Sequence, residues 1–556
     1  MRVAIIGAGP AGLLVGSALA GRGHEVVALD RDAGPPRHGR WPRRGVMQFH
    51  HAHGFRPQVG LVLQDEWPAA FAAWLALGAE PITFELPGIG PVPGGYRSRR
   101  ETFERALRTI SNDVSGLSVE QGHVDGVLSS GGWVRGVVVD GSRLEADLVV
   151  DASGRSGRAA DDLRAPSTVG GLCGMAYVDR QYRLRKGAEP GPMANPLAWQ
   201  ADFDGYQTIV FLHERGHFSV LLVRPTADAA LKDLRHPAAF EAACRAIPGL
   251  AEWTDPGRAL PVTDVLPGGP LRNAYRGQRG VDGRPALPGL VSVGDAVATT
   301  TPTFGRGLAT TFLQVRQLLA LLDTGTDPAL VGEPFDAWCT DSMLPWVLDH
   351  TYMDGDLVRR WQGGDVDLTR RLPSDLILSA ASVDPRIGRA SPGYLTMRGL
   401  PSCLDPVEPL ARAVYESGRR PAPGRPATSS STSSTPPCVR AGWLRHRSSS
   451  ARSARGSAPR RPRDAGRRTG LEVRPRVVRR SGTLGRTCVR RPHRRRPPQS
   501  RRPRRRVLHV GWRLWSSSAR SPSAWPRWTC SASWWQSTDS PTGRQFGYSA
   551  APRTSP

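Results

Sequence analysis

Lysine is almost missing from this chain of 556 residues: of 75 basic side chains only Lys186 and Lys232 are lysines. Such a bias points to a GC-rich gene. The seven cysteines, at positions 173, 244, 339, 403, 438, 488 and 530, are scattered, odd in number and free of any Cys-x-x-Cys pair. That spacing argues against a disulfide framework and against a structural zinc site. No run of 18 or more apolar residues occurs, so no membrane-spanning helix is expected. Met1 and Arg2, followed by an apolar run to Ala20, have the outline of a signal peptide, but glycines inside that run have a better explanation given below. The expected compartment is a reducing cytoplasm.

Acidic residues are also scarce, but only in one part of the chain. From residue 421 onward there are 31 arginines and three acids, a net charge of +28, whereas the first 420 residues carry 44 basic and 46 acidic groups, a net −2. The overall +26 is therefore no argument that the folded part binds nucleic acid. The first 420 residues are long enough for a core of two or more domains.

The Arg-, Pro-, Ser- and Trp-rich tail from about 421 has no sustained helical or strand period. It reads as a disordered nucleic-acid-binding arm, as an inert linker, or as a coding sequence in the wrong frame. The third reading is favoured. When Arg425-Pro-Ala-Thr-Ser-Ser-Ser-Thr-Ser-Ser-Thr-Pro-Pro437 is written in GC-rich codons and shifted, it becomes Pro-Ser-Arg-Asp-Glu-Leu-Val-Asp-Leu-Val-Asp-Pro-Ala. That product is an acidic-apolar segment with helical spacing and a Ser-x-x-Glu start. On this reading the true product continues differently after about 424. Binding of nucleic acid would belong to the tail alone.

The strongest pattern opens the chain. Arg2-Val-Ala-Ile-Ile-Gly7 is a short buried-strand run, Gly7-Ala8-Gly9-Pro10-Ala11-Gly12 follows at once, and Leu13 to Arg22 has the small and apolar residues of a packed helix. A second strand then ends in Asp30, eighteen positions on from Gly12, with Arg31 next to it. Gly7 permits a tight turn, Gly9 lets backbone approach a pyrophosphate, and Gly12 lets the helix pack on the strand. The helix N-terminus offers free N–H groups to phosphate, and Asp30 can accept hydrogen bonds from a ribose diol. This predicts a dinucleotide site. The motif leaves FAD and NAD open.

Three later segments choose FAD. Ala146-Asp-Leu-Val-Val-Asp151-Ala-Ser-Gly154-Arg-Ser156-Gly-Arg158 delivers an acid, a glycine turn and basic residues from a strand. Leu290-Val-Ser-Val-Gly294-Asp295 ends a strand in a carboxylate, at the edge where open α/β sheets bind ligands. Pro302-Thr-Phe-Gly305-Arg-Gly307-Leu308 begins seven positions after Asp295 and leads into a helix through Leu322. Together these resemble the FAD-dependent monooxygenase superfamily typified by p-hydroxybenzoate hydroxylase, and within it the actinobacterial FAD-dependent oxidoreductases and polyether-type epoxidases. The resemblance covers roughly 1–420. It implies that Asp151 lies near FAD and bears on nicotinamide handling, although Ala152 stands where that fingerprint usually has Gly. It implies that Asp295 meets the ribityl chain, and that the loop from Pro302 through Gly305, Gly307 and Leu308 faces the flavin. Two weaker matches are Gln48 within Gly45–His53, with Met47 in place of the usual Pro, and Arg100 at the start of a helix beside the phosphates. A strand around Val124 is expected to line the adenine. His50, His51 and His53 complete no ligand pattern, so no metal site is expected.

The expected architecture is α/β: a discontinuous Rossmann-like FAD-binding domain (1–75, 95–165 and 285–325) with an antiparallel substrate domain (76–94 and 166–284). A helical cap (326–420) and the tail (421–556) complete it. The period-2 stretches Gln207–His213 and His217–Val223 supply the antiparallel sheet. The resemblance implies a monooxygenase, a hydroxylase or epoxidase, that transfers oxygen from a flavin C4a-hydroperoxide to a small organic or secondary-metabolite substrate. It also implies O₂ as co-substrate and NAD(P)H as electron donor, used directly or through a separate flavin reductase. The rivals are an FAD-dependent dehydrogenase or reductase and, through the tail, a nucleic-acid-associated protein. A tryptophan-type halogenase is disfavoured, since its Trp-x-Trp-x-Ile-Pro segment and active-site Lys are missing. No catalytic residue is nominated; His213 and His217 are candidates better read as packing histidines.

Overall fold

A continuous apolar strand needs cover on both faces, and Arg2–Ile6 receives it. The computed structural model describes residues 1–419 apart from 44, 87–89 and 168; the readings of the tail lie outside the described residues. Five parallel strands form one sheet in the order Leu290–Ser292, Leu148–Asp151, Arg2–Ile6, Glu25–Asp30, Leu117–Gln121. The sheet thus gathers segments far apart in sequence. Val3, Ile5, Leu148 and Val150 point to one face, where the helices Pro10–Gly21, Arg100–Ile110 and Gly307–Asp323 pack. Ala4, Ile6, Val149 and Leu290 point to the other, onto Val124, Val134 and Val137 of a three-stranded meander, Val124–Ser130, Trp133–Val139 and Ser142–Glu145. The two-residue side-chain period sorts one apolar run into two cores.

The second large sheet is antiparallel: Ala198–Phe203, Tyr206–Leu212, His217–Pro225, Met175–Leu184 and Ala259–Pro261 in order, with Leu266–Gly268 also paired to Met175–Leu184. Its alternation sorts side chains as well. Val178, Val210, Leu212 and Val220 face Phe240, Leu250 and Trp253 of the helices Pro237–Ala246 and Pro248–Thr254. Tyr177, Ile209, Phe211 and Leu221 face the opposite way. Every residue of Tyr206–Leu212 is buried, so this sheet has no water-facing side along that strand. Full burial of one such Phe or Leu contributes about 1.5–3 kcal/mol.

A hairpin, Glu80–Leu86 with Gly90–Arg97, stands as its own two-stranded sheet. After Gly307–Asp323 the described chain is helical, with Gly332–Ser342, Leu344–Trp361, Ser374–Ala380 and Glu408–Glu416 as the longer elements. They enclose a separate apolar cluster around Trp346, Ile377, Tyr394 and Tyr415. Among the described residues no helix is long and apolar enough to cross a membrane.

Candidate functional site

The dinucleotide motif folds as its glycines require. Gly7 has φ +101°, and a Cβ there would sit 2.7 Å from the Ala152 carbonyl oxygen. A Cβ on Gly12 would lie 1.9 Å from the Gly7 carbonyl oxygen, so helix and strand touch backbone to backbone. At Gly9 the nearest atom to an added Cβ is 4.0 Å away, which leaves that face open. The helix Pro10–Gly21 starts there with no side-chain cap, so its N-terminal dipole faces open space.

A cavity of about 520 Å³ begins at this turn. Gly7, Gly9, Pro10 and Ala11 line it, with Asp30, Arg31 and Val124 at one end. Gln48 and Arg100 line it as well, as do Asp295, Pro302, Gly305, Gly307 and Leu308. Tyr177, Phe211, Leu221 and Leu271 of the antiparallel region close the other end. The cavity therefore runs from the nucleotide motif to an apolar sheet wall. Three of the expected residues do not line it. Ala8 lies behind the turn, where its N–H donates to Asp30 Oδ2 at 3.1 Å. Gly12 serves packing. Asp151 is buried, ion-paired to Arg164 at 3.3 Å, and accepts the Ser153 N–H at 3.1 Å. It shapes the following turn, and Ala152 to Ala159 form the wall in its stead.

The electrostatics centre on a residue the sequence did not flag. Arg43 donates Nη1 to Asp30 Oδ1 at 3.0 Å and Nη2 to Asp30 Oδ2 at 2.9 Å. It also lies 3.2 Å from Glu104 and 3.7 Å from Asp32, with its side chain 4% exposed. Burial pushes the Asp30 carboxyl upward, but the Arg43 bonds and charge outweigh this and hold it below its ordinary range. Arg100 bridges Glu104 at 2.5 Å and His53 at 3.1 Å. Because His53 Nδ1 meets the His51 carbonyl at 3.0 Å, that nitrogen carries the proton and Nε2 accepts from Arg100. Burial, then Arg100, hold His53 well below its ordinary pKa, so it is neutral. Burial raises Asp295 against the opposing charges of Arg100 and Arg155.

The histidines otherwise do structural work. His51 is pushed to about 4 by burial and stands 3.6 Å from Asp179, whose carboxyl burial raises to about 8. His213 is buried, 2.9 Å from Ser219 Oγ, and neither it nor His217 lines the cavity.

Beside the main cavity lies an open groove of about 460 Å³ that shares Arg155, Ser156, Gly157 and Arg158 with it and adds Asp161, Pro270, Arg272 and Arg276. Arg276 is engaged with Asp161 at 2.8 Å. The guanidinium groups of Arg155, Arg158 and Arg272 have no hydrogen-bond partner among the described residues.

Residues 1–47 match the family model of the FAD binding domain. No protein of curated function matches the chain in sequence. Among solved structures, the flavin-dependent brominase Bmp2 is similar at 17% identity and TM-score 0.53, over 75% of this chain and 99% of that one. The flavin-dependent halogenase CmlS is similar at 17% identity and TM-score 0.50, over 81% of this chain and 78% of that one. At such identities the likeness speaks for the fold. The open face at Gly9 and the uncapped helix end fit FAD, and Asp295 and the Pro302–Leu308 loop line the same cavity; the Asp30 carboxylate lines it too, with both oxygens engaged by Arg43. Residues 1–47 are thus part of an FAD binding domain, and the described chain shares its α/β fold with the flavin-dependent proteins Bmp2 and CmlS.

Proposed function

We propose that the chain is an FAD-dependent monooxygenase, a hydroxylase or epoxidase, acting on a small organic or secondary-metabolite substrate. One observation carries this reading: a single cavity joins the dinucleotide motif to the apolar wall of Tyr177, Phe211, Leu221 and Leu271. FAD, when bound, supplies the redox and oxygen chemistry. The chain's own residues bind, orient and exclude water. Gly9, Pro10 and Ala11 with the helix N-terminus hold the pyrophosphate, Asp30 the ribose, and Val124 the adenine. Asp295 and the loop at Gly305, Gly307 and Leu308 hold the flavin end, and the apolar wall holds the substrate in a dry site. The domain bounds follow the sequence reading, with 1–75, 95–165 and 285–325 for FAD, 76–94 and 166–284 for substrate, and 326–420 as cap.

NAD(P)H is the proposed electron donor. Its support is the adjoining groove, where Arg155, Arg158 and Arg272 offer unengaged cations to phosphate. The test uses the full chain. Bound oxidised flavin in the visible spectrum, NAD(P)H-dependent reduction, and a product that carries ¹⁸O from ¹⁸O₂ would support the reading. Reduction of substrate or flavin without oxygen incorporation would select the dehydrogenase alternative. A product formed only with added halide would redirect the reading to halogenation.

A further inference from the structure

Arg306 lies between the two glycines of a loop whose Pro302, Gly305, Gly307 and Leu308 all line the cavity, yet its side chain leaves the cavity and is 0% exposed. Its guanidinium carbon sits 4.3 Å from the ring centre of Tyr394, 4.4 Å from Trp346 and 4.7 Å from Phe304. Nη1 is 2.8 Å from His350 Nε2, and the Asp349 carboxylate is 3.9 Å away. Nε and Nη2 have no hydrogen-bond partner among the described residues. Burying a cation with so little direct compensation is costly, and the three ring faces are what offsets it.

The network has a direction. Arginine only donates, so His350 Nε2 accepts and Nδ1 carries the proton. Nδ1–H then donates to Thr301 Oγ1 at 2.9 Å, and the Thr301 hydroxyl donates to Asp354 at 2.9 Å. Asn273 donates to the same Asp354 oxygen at 2.7 Å and accepts the Thr301 backbone N–H at 2.8 Å. From the other side Arg56 Nε donates to the Phe304 carbonyl at 3.0 Å. The loop is thus held at Thr301, Phe304 and Arg306 by groups that lie off the cavity. Its cavity-lining residues are Pro302, Gly305 and Gly307, and the helix Gly307–Asp323 starts there without a side-chain cap.

We propose that Arg306 is a positioning residue for FAD: its ring-caged guanidinium and its bond to His350 fasten the loop Pro302–Gly307 to the helical cap and fix the backbone that lines the cavity. The cap is then part of the cofactor site although it donates no cavity-lining group from Trp346, His350 or Tyr394. This rests on the reading of the cavity as the FAD site.

The test compares full-chain variants by FAD dissociation constant, visible spectrum and midpoint potential of the bound flavin, and melting temperature. His350→Leu removes both ends of the relay, whereas His350→Gln keeps an acceptor for Arg306 and a donor for Thr301. Arg306→Met keeps the stem without the charge. His350→Leu and Arg306→Met should each raise the FAD dissociation constant by about tenfold or more, the scale of a lost charged hydrogen bond, and shift the flavin spectrum and potential. His350→Gln should restore most of both. Should either apolar variant not fold, Arg306→Lys keeps a buried cation but not the planar fork, and it should weaken FAD in the same direction. Folded variants that hold FAD with wild-type affinity, spectrum and potential overturn the proposal, as does His350→Gln being no better than His350→Leu. A wild-type chain that takes up no FAD overturns the cavity reading itself, and this proposal with it.

Discussion

The two ends of the cavity are built from different materials. At the nucleotide end the turn in the wall is backbone, Gly7 at φ +101° and Gly9 with its open face, with Gly12 packed behind it against the Gly7 carbonyl. At the sheet end the wall is side chains, Tyr177, Phe211 and Leu221, raised from alternate positions of paired strands. At Gly7 and Gly12 any Cβ would collide with backbone, so those two points admit glycine alone. A side-chain wall admits any apolar residue of suitable volume, so it can be retuned for another substrate without losing the fold. On the proposed reading, the first end takes the nucleotide half of the cofactor and the second faces the substrate.

Gly12→Val tries to break the first end and should have the largest effect. The new Cβ would be 1.9 Å from the Gly7 carbonyl oxygen, so helix and strand must part. Overpacking on this scale costs about 3 kcal/mol, equivalent to about a hundredfold in affinity if it falls on the FAD-bound state. Gel-filtered protein should come off colourless, with a lowered melting temperature. A yellow Gly12→Val protein of wild-type stability would show that the glycine spacing is not what builds this end.

The same contrast explains what could be read in advance. The turn at Gly7, the acid at Asp30, the helix beginning at Arg100 and the loop from Pro302 are local devices at fixed spacing, and each left a mark in the sequence. The alternation of Gln207–His213 and His217–Val223 gave the antiparallel sheet. What stayed hidden depends on tertiary pairing. Arg43 sits in a stretch with no period, and only the chain reversal after Asp30 brings it against three carboxylates. Asp151 looked like a cofactor contact, but Arg164 and Ser153 engage its carboxylate behind the wall. Arg306 read as a spacer between glycines, because two of the three rings that cage it, Trp346 and Tyr394, come from about 40 and 90 positions later.

A second break acts on the antiparallel side and leaves the nucleotide end alone. Burial holds His213 at about 4 in the folded chain, whereas an unfolded histidine titrates near its ordinary value of about 6.5. The unfolded state therefore binds the extra proton as pH falls. The contribution of neutral His213 is complete above about pH 6.5 and is lost between there and about pH 4, on the order of 3 kcal/mol in all. His213→Gln cannot titrate, so its stability should fall less over that range than the wild type's, whatever its stability at neutral pH. Urea titrations at pH 6.5 and 4.5 measure the difference, and parallel declines would mean that His213 is not buried neutral. The smaller change Phe211→Leu sharpens the contrast. It should cost about 1 kcal/mol in stability and alter turnover or KM for the substrate while the FAD dissociation constant stays put. A weakened FAD would mean that the two ends are not separable.

The smallest expected effect lies where the groove meets the cavity. Arg155 is exposed and shared by groove and cavity, so its charge acts through water. An exposed cation facing phosphate contributes about 1 kcal/mol, and Arg155→Gln should raise the KM for NAD(P)H about fivefold with little change in kcat. Added salt should shrink the difference between variant and wild type, because screening removes from the wild type what the substitution removes from the variant. The variant should bind FAD as the wild type does, since the nucleotide end relies on backbone and on the buried Arg43 pair. If Arg155→Gln leaves the nicotinamide KM untouched at low salt, the groove is not the donor's path. Electrons would then reach the flavin by another route, with a separate reductase as the first alternative.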